Sequence, residues 1–480
     1  MKQEQLEGFS NFGLSPEIQS ALKVLKYEKP TEIQKIVIPL ALNADNIMAG
    51  SGTGSGKTAA FAIPICEGID WEINEPQALI LEPTRELTVQ AAYEISQIGR
   101  KKRIKTADVF GGFPIDKQIR TLKQKTHIVV GTPGRVLDHI RRGSLKLDRI
   151  KTVVIDEADL MLDMGFAEEV KTILSFVEAQ HNTMLFSATL TDEIKELTQG
   201  AIENAHLILL EEEERGVITE KLYFAESESK YQIFLQILKQ EDPVNAMIFC
   251  GTKEMVNVLC RKMQRDGIRC AMIHGDLDQQ DRIRTVESFR ENRVRYLIAT
   301  DVVARGIDFE RLSHVFNYDF PTGRETYVHR IGRTGRNGAN GTAVSIVTTE
   351  DERMKSQVER FLGYELPYWQ MSEITPEQES KFWLHQKKAP VKREKKGAGF
   401  ATEIIRLSIG GGKKSKMRAG DIVGAISNIE GITSEDIGVI DVRESLTYVE
   451  ILNKKGSLVE KELLKKPIKG KIRKVRRTRS

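Results

Sequence analysis

Continuous apolar runs, each followed by a stretch with helical periodicity, constrain this chain more than any other feature. The segments ALILEP (78–83), HIVVGTP (127–133), KTVVIDEAD (151–159) and TMLFSAT (183–189) are apolar and rich in β-branched residues at consecutive positions. A strand with one face in water alternates apolar and polar residues, whereas one covered on both faces reads as an unbroken apolar run. The pattern resumes after residue 244 with AMIFCGT, CAMIHGD, RYLIATD, HVFNYDF and TAVSIVT. Strands of this kind alternating with helices predict α/β architecture, with parallel sheets covered on both sides. The charged segment LLEEEERGV (209–217) suits a linker, which gives two α/β lobes over 1–208 and 218–365. No short fixed-period repeat points to a solenoid.

The remainder has a different character. Residues 366–402 turn polar and basic (QKKAPVKREKKGAGF) and are expected to form a tether. Residues 403–480 read as a small α+β unit, with IIRLSI, GGGKKSK, a helix candidate RAGDIVGAISNIEG, the strand TYVEIL and a basic tail. From Lys381 to Ser480 there are 25 Lys/Arg against 11 Asp/Glu; against a whole-chain charge of +4, the first 380 residues carry −10. A basic terminal fifth on an acidic body points to a polyanionic partner. No segment approaches the ~20 apolar residues of a membrane span, and MKQEQLEGFS lacks a secretory pattern, so a cytoplasmic protein with no membrane role is expected. The four cysteines, Cys66, Cys250, Cys260 and Cys270, form no close pair in sequence and no zinc spacing with histidine.

The run Ser51-Gly52-Thr53-Gly54-Ser55-Gly56-Lys57-Thr58 follows the apolar NIMAG and precedes the helix-like AAFAIPICEGI. Glycines allow backbone N–H groups to converge on phosphate oxygens, and a helix N-terminus adds a positive dipole end. Lys57 suits contact with the β- and γ-phosphates, and the Thr58 hydroxyl suits Mg²⁺. Ser51 stands where the strict pattern has glycine, whereas Gly56 is in place. About a hundred residues later, Asp156-Glu157-Ala158-Asp159 follows the strand Val153-Val154-Ile155. Asp156 suits Mg²⁺, and Glu157 suits orientation and deprotonation of an attacking water. Together the two segments predict nucleotide hydrolysis.

These residues resemble the DEAD-box RNA helicases, and the likeness runs from Phe9 to Gly341. It includes Pro83-Thr84-Arg85-Glu86-Leu87, Gly111-Gly112, Thr132-Pro133-Gly134-Arg135 and Ser187-Ala188-Thr189. It continues with His274-Gly275-Asp276, Gln279 and Arg282, then Thr300-Asp301 through Gly306-Ile307-Asp308, and ends at His329-Arg330-Ile331-Gly332-Arg333-Thr334-Gly335-Arg336. The resemblance implies two tandem RecA-like P-loop lobes that use ATP and Mg²⁺ to separate short RNA duplexes. It implies arginine fingers at Arg333 and Arg336, a device typically worth about 10³–10⁵ in rate, with Gly306 and Asp308 beside the nucleotide. Phe9, Tyr27 and Gln34 match the adenine-reading segment, and an amide with both donor and acceptor suits adenine. The family usually has Gly where this chain has Lys26, so the loop geometry there is in question. RNA contacts are implied for Pro83, Thr84, Arg85, Gly112, Thr132, Gly134 and Arg135 in the first lobe. Arg282, Thr300 and Asp301 are implied in the second. These groups hold sugar–phosphate rather than bases, and in this family the bound strand is bent, which a regular duplex cannot accept.

The C-terminal unit resembles the RNA-recognition motif attached to the DbpA subfamily of bacterial DEAD-box proteins. The matching residues run from Arg406 to Ala419, with Asp421-Ile422-Val423-Gly424 and Tyr448-Val449-Glu450-Ile451. Ser408 and Ile409 stand where aromatic residues would, leaving Tyr448 on the expected central strand, so recognition is expected to lean on Lys413, Lys414, Lys416 and Arg418. The resemblance implies a hairpin of 23S ribosomal RNA as the target, a role in 50S assembly, and a monomer. The competing readings are an ATP-gated RNA clamp, a non-specific basic anchor and a DNA motor.

Overall fold

The computed structural model describes residues 8–52, 54–198, 202, 204–210, 216–301, 312–335, 338–388, 390 and 397–478. Two compact units emerge: one contains the first lobe without Gly52–Ser55, together with the C-terminal domain from 395 onward; the other comprises Gly52–Ser55 and Leu210–Glu394.

The first lobe is built on β1 (Ile47–Gly50), β2 (Ala78–Leu81), β3 (Thr106–Val109), β4 (Ile128–Gly131), β5 (Thr152–Ile155), β6 (Asn182–Ser187) and β7 (His206–Leu209). They pair in parallel in the order β3-β4-β2-β5-β6-β1-β7. The inner strands β2, β4 and β6 are buried at every position, as unbroken apolar runs require. The edge strands β3 and β7 are partly exposed. Ligands of such sheets bind beyond the carboxyl ends of the strands. The turns after β1, β2, β3, β4 and β5 all leave from that side.

The second lobe repeats the plan with β8 (Ile218–Phe224), β9 (Ala246–Phe249), β10 (Cys270–Ile273), β11 (Tyr296–Ala299), β12 (His314–Asn317) and β13 (Gly341–Val347). Their order is β10-β11-β9-β12-β13-β8, again parallel. A helix from Lys253 to Arg265 folds back on β10 and brings Cys260 Sγ within 3.6 Å of Cys270 Sγ, a proximity that ten-residue spacing does not show.

The stretch expected to be a tether is in part an element of the second lobe. Leu222 donates its N–H to Pro367 O and accepts from Trp369 N–H, at 3.0 and 2.8 Å. A helix from Pro376 to Lys387, capped by Thr375, buries Phe382 completely in the lobe's core. The basic composition of 366–402 hides these anchors, since one apolar stripe suffices to dock a helix. Of this stretch, residues 389 and 391–396 lie outside the described residues, as do 211–215 of the expected linker.

The C-terminal domain has an antiparallel sheet of β14 (Ile405–Gly410), β15 (Ile437–Val442), β16 (Leu446–Ile451) and β17 (Val475–Thr478), in the order β15-β16-β14-β17. Helices Ala419–Ser427 and Gly456–Leu463 cover one face. Leu407, Ile409, Val449 and Ile451 are fully buried beneath them. This is the β-α-β-β-α-β arrangement expected of an RNA-recognition motif.

Candidate functional site

The loop between β1 and the helix Lys57–Gly68 turns through two left-handed glycines, Gly54 (φ 88°) and Gly56 (φ 91°). A Cβ on Gly56 would fall 2.5 Å from Gln34 Nε2, so both conformation and space demand glycine. Ser51 is buried and donates its N–H to Ser187 O at 2.9 Å, which ties the loop to the end of β6. Ser55 Oγ donates to Gly52 O at 2.9 Å. Thr58 lies half-buried in the first helical turn, and Thr53 lies outside the described residues.

Lys57 is only 5 % exposed, with its ammonium 2.8 Å from Glu157 Oε1 and 4.0 Å from Asp156 Oδ1. Burial pulls the ammonium down, but Glu157 and Asp156 outweigh it and hold Lys57 above its ordinary range. Burial pushes the Asp156 carboxyl up to about 7, with Lys57 opposing the rise and Glu157 adding to it. Glu157 itself has φ 51° and ψ 51°, a left-handed conformation that is costly for a non-glycine residue and concentrates at working sites. Ser187 Oγ accepts the Asp159 N–H at 3.3 Å, and Asp159 Oδ2 accepts the Ala188 N–H at 3.2 Å. The segment after β6 is thereby joined to the acidic segment after β5.

A third carboxylate, itself buried, completes the cluster. Glu82, the first residue after β2, is 1 % exposed, and burial together with Asp156 and Glu157 pushes its carboxyl well above the usual range. A lone glutamate at the end of a fully apolar strand was its signal in the sequence.

Gln34 is buried, with Oε1 accepting the Thr31 N–H (3.0 Å) and Nε2 donating to Gly56 O (3.1 Å). These bonds use half of the amide's capacity and hold it beside the glycine loop. The Phe9 ring lies edge-on to Tyr27, 5.9 Å between centroids, and the Tyr27 hydroxyl donates to Glu94. Lys26 is left-handed (φ 60°), and it closes the helix Pro16–Val24 with Lys26 N–H on Lys23 O and Tyr27 N–H on Leu22 O. That is a Schellman cap, whose left-handed position favours glycine and is held here by lysine.

Pro83, Thr84 and Arg85 follow β2, where the Thr84 hydroxyl caps the next helix by accepting the Leu87 N–H at 3.3 Å. Gly112, after β3, is left-handed, and a Cβ there would meet the Arg85 guanidinium at 2.4 Å. Thr132, Gly134 and Arg135 follow β4; Arg135 donates to Phe113 O (3.0 Å) and Gln118 Oε1 (2.8 Å). A Cβ on Gly134 would meet nothing within 4 Å. All seven thus stand at the carboxyl ends of adjacent strands.

In the second lobe Arg282 is half-buried on the helix Gln279–Arg290, Thr300 follows β11, and Arg333 is half-buried after the helix Arg324–Ile331. Asp301, expected to touch RNA, engages both carboxylate oxygens with Arg330, at 2.5 and 2.7 Å. Arg330 also donates to Asn317 Oδ1 (3.1 Å) and Asp319 O (2.6 Å). Gly306, Asp308 and Arg336 lie outside the described residues.

On the C-terminal domain, Lys413, Lys414, Lys416 and Arg418 are all exposed on the loop after β14. Tyr448 is half-buried, with the Arg406 and Arg443 guanidinium groups each 4.8 Å from its ring centroid.

Residues 31–197 match the DEAD/DEAH box helicase family, residues 229–338 the helicase conserved C-terminal domain, and residues 406–477 the DbpA RNA binding domain. The ATP-dependent RNA helicase DbpA of Bacillus subtilis is 44% identical over 97% of this chain and 98% of its own length. The DEAD-box ATP-dependent RNA helicase CshA of Geobacillus kaustophilus is 41% identical over 73% of this chain and 76% of its own. Among solved structures, Saccharomyces cerevisiae Dbp5 bound to RNA and ADP BeF3 shares 33% identity, covering 79% of this chain and all of its own, with a TM-score of 0.68. With a glycine loop and an acidic strand end on the first lobe, and likeness along nearly the whole chain, it belongs to the DEAD-box ATP-dependent RNA helicases, of the type with a DbpA RNA-binding domain.

Proposed function

We propose that this helicase acts on large-subunit ribosomal RNA, opening short duplexes near a 23S hairpin held by its C-terminal domain during 50S assembly in the cytoplasm, as a monomer. The observation that carries the chemical half is the Lys57–Glu157–Asp156 cluster, one ammonium against the buried Asp156 and half-buried Glu157 carboxylates, beyond the ends of β1 and β5, the two strands that flank β6. Lys57 and the N–H groups of Gly52, Thr53, Gly54, Ser55 and Gly56 hold the phosphates, and Ser51, whose N–H is engaged with Ser187 O, anchors the start of the nucleotide loop. Glu157 takes a proton from the attacking water. The oxygen-only pair of the Thr58 hydroxyl and the Asp156 carboxylate fits Mg²⁺, a hard ion that keeps several waters and neutralises phosphate charge. Phe9, Tyr27 and Gln34 read adenine. From the second lobe, Arg333 and Arg336 stabilise the transferring phosphoryl group, with Gly306 and Asp308 alongside.

RNA lies along Pro83, Thr84, Arg85, Gly112, Thr132, Gly134 and Arg135, with Arg282, Thr300 and Asp301 contributed by the other lobe. Asp301 enters through its backbone, since its carboxylate is engaged with Arg330. Lys413, Lys414, Lys416, Arg418 and Tyr448 hold the hairpin. The ribosomal target is supported by the DbpA-type domain and by the similarity to Bacillus subtilis DbpA over nearly the whole chain.

The decisive variant is Glu157→Gln, measured for RNA-stimulated ATP turnover and for ATP-dependent RNA binding. Turnover should vanish while binding persists; equal loss of both refutes the role of Glu157. Deleting residues 403–480 should weaken stimulation by the 23S hairpin and spare activity on generic RNA at high concentration. An unchanged hairpin response removes the ribosomal reading and leaves a non-specific RNA chaperone.

A further inference from the structure

The first lobe carries a basic run, GRKKRIK (99–105), between the helix Arg85–Ile98 and β3. In the helicase reading this run has no task. Lys102 turns to Glu67 of its own lobe, whereas Arg100, Lys101, Arg103 and Lys105 each reach a partner on the C-terminal domain. Arg100 Nη2 stands 3.0 Å from Glu450 Oε1, and Lys101 Nζ stands 2.7 Å from Glu403 Oε2. Lys105 Nζ donates to Ile440 O at 2.7 Å, and Arg103 donates to Ser434 O. The Arg100 guanidinium also lies 5.3 Å from the ring centroid of the fully buried Phe400. The side chains of Arg100 and Glu450 are 14% and 13% exposed, so this is a desolvated contact rather than a solvated charge pair. Burial holds the Lys105 ammonium below its ordinary range, with Asp441 opposing that.

The face used on the C-terminal domain is informative. In β16, Val449 and Ile451 point into the core, so Tyr448 and Glu450 share the opposite, open face of the sheet. Asp441 on β15 is paired with Tyr448 across the strands and belongs to the same face. This is the face on which RNA-recognition motifs stack bases. Here two arginines occupy its one aromatic ring, while Glu450 and the β15 edge are taken by the first lobe. The loop cations Lys413, Lys414, Lys416 and Arg418 remain exposed.

We propose that this contact is a closed arrangement that RNA must open: the Arg100–Lys105 strip covers the acidic side of the Tyr448 sheet face, so the first lobe and RNA compete for the C-terminal domain. RNA phosphates are captured first by the exposed loop cations. Occupation of the sheet face then breaks the Arg100–Glu450 and Lys101–Glu403 pairs and frees the domain from the lobe. The proposal rests on RNA binding by the C-terminal domain.

A carbodiimide, which joins ammonium and carboxylate groups in direct contact, tests it on the unaltered full chain. A Lys101–Glu403 crosslink should form without RNA and be lost at saturating concentrations of the 23S-type hairpin; a crosslink that persists at saturation overturns the proposal. In parallel, Arg100→Glu/Lys101→Glu should bind the hairpin about tenfold more tightly, since no contact has to be broken first. Adding Glu403→Lys to Lys101→Glu, which restores that pair with its charges exchanged, should return affinity towards that of the unaltered chain. Unchanged or weaker binding by the double variant overturns the proposal, and weaker binding would make the strip itself an RNA contact. A chain that binds no hairpin in any form would sink the RNA-binding reading beneath it as well.

Discussion

Replacing Lys57 by methionine removes one charge from a buried acidic cluster while keeping a long, flexible side chain of similar volume. Lys57 is 5 % exposed, and Glu157, Asp156 and the buried Glu82 lie around it. Removing one partner of a buried pair leaves uncompensated charge and typically costs about 3–5 kcal/mol. The pH dependence discriminates this cause from lost packing. The Lys57 ammonium is raised in the folded state, so its contribution is complete below its unfolded value of 10.5 and constant across pH 6–8. Asp156 is raised from 3.8 to about 7, so its burial cost is absent below 3.8, grows as pH climbs and is complete above about 7. Lowering pH from 8 to 6 therefore stabilises the unaltered lobe by about 1 kcal/mol. Without Lys57 the same carboxyl holds its proton throughout that window, and the gain approaches about 3 kcal/mol. The deficit of Lys57→Met should shrink by about 1–2 kcal/mol between pH 8 and pH 6. Urea unfolding without nucleotide measures it, with amide exchange of β5 and β6 marking the first lobe's transition. A deficit equal at both pH values, or larger at pH 6, refutes the electrostatic account.

Two further substitutions test the backbone and the second lobe. Lys26→Gly relieves a left-handed lysine at a helix end and should stabilise the first lobe by about 1 kcal/mol, read as a higher urea midpoint; a lower midpoint would refute the cap. Arg330→Lys cannot reproduce the planar fork that spans both Asp301 oxygens, Asn317 and Asp319, and should destabilise the second lobe by about 2–4 kcal/mol, seen as faster amide exchange in β11 and β12. Unchanged exchange there would mean that Arg330 is replaceable.

What the sequence disclosed follows from which forces are local. The inner strands were legible because burial on both faces writes an unbroken apolar run, and the glycine loop because its φ values exclude other residues. The edge strand β3 (TADV) carries no such run, and the short run of β7 (HLIL) merges into the charged segment that follows, so neither stands out. The helix Pro376–Lys387 was hidden by its own lysines and glutamates, since Phe382 and Trp383 with the polar Gln386 make up the side packed on the lobe. Glu82 and the Cys260–Cys270 contact depend on which strands and helices become neighbours, information that lies in sheet order rather than in spacing. The pairing of GRKKRIK with Glu403 and Glu450 joins positions about 300 residues or more apart, beyond any local rule.

The 2.8 Å bond between Lys57 and Glu157 carries a last consequence. On the proposed roles, the lysine that greets a phosphate and the glutamate that primes the water are fastened to each other. An arriving triphosphate must draw the ammonium away before the carboxylate is at liberty to accept a proton. The substrate therefore unlocks the base that readies the water to attack it.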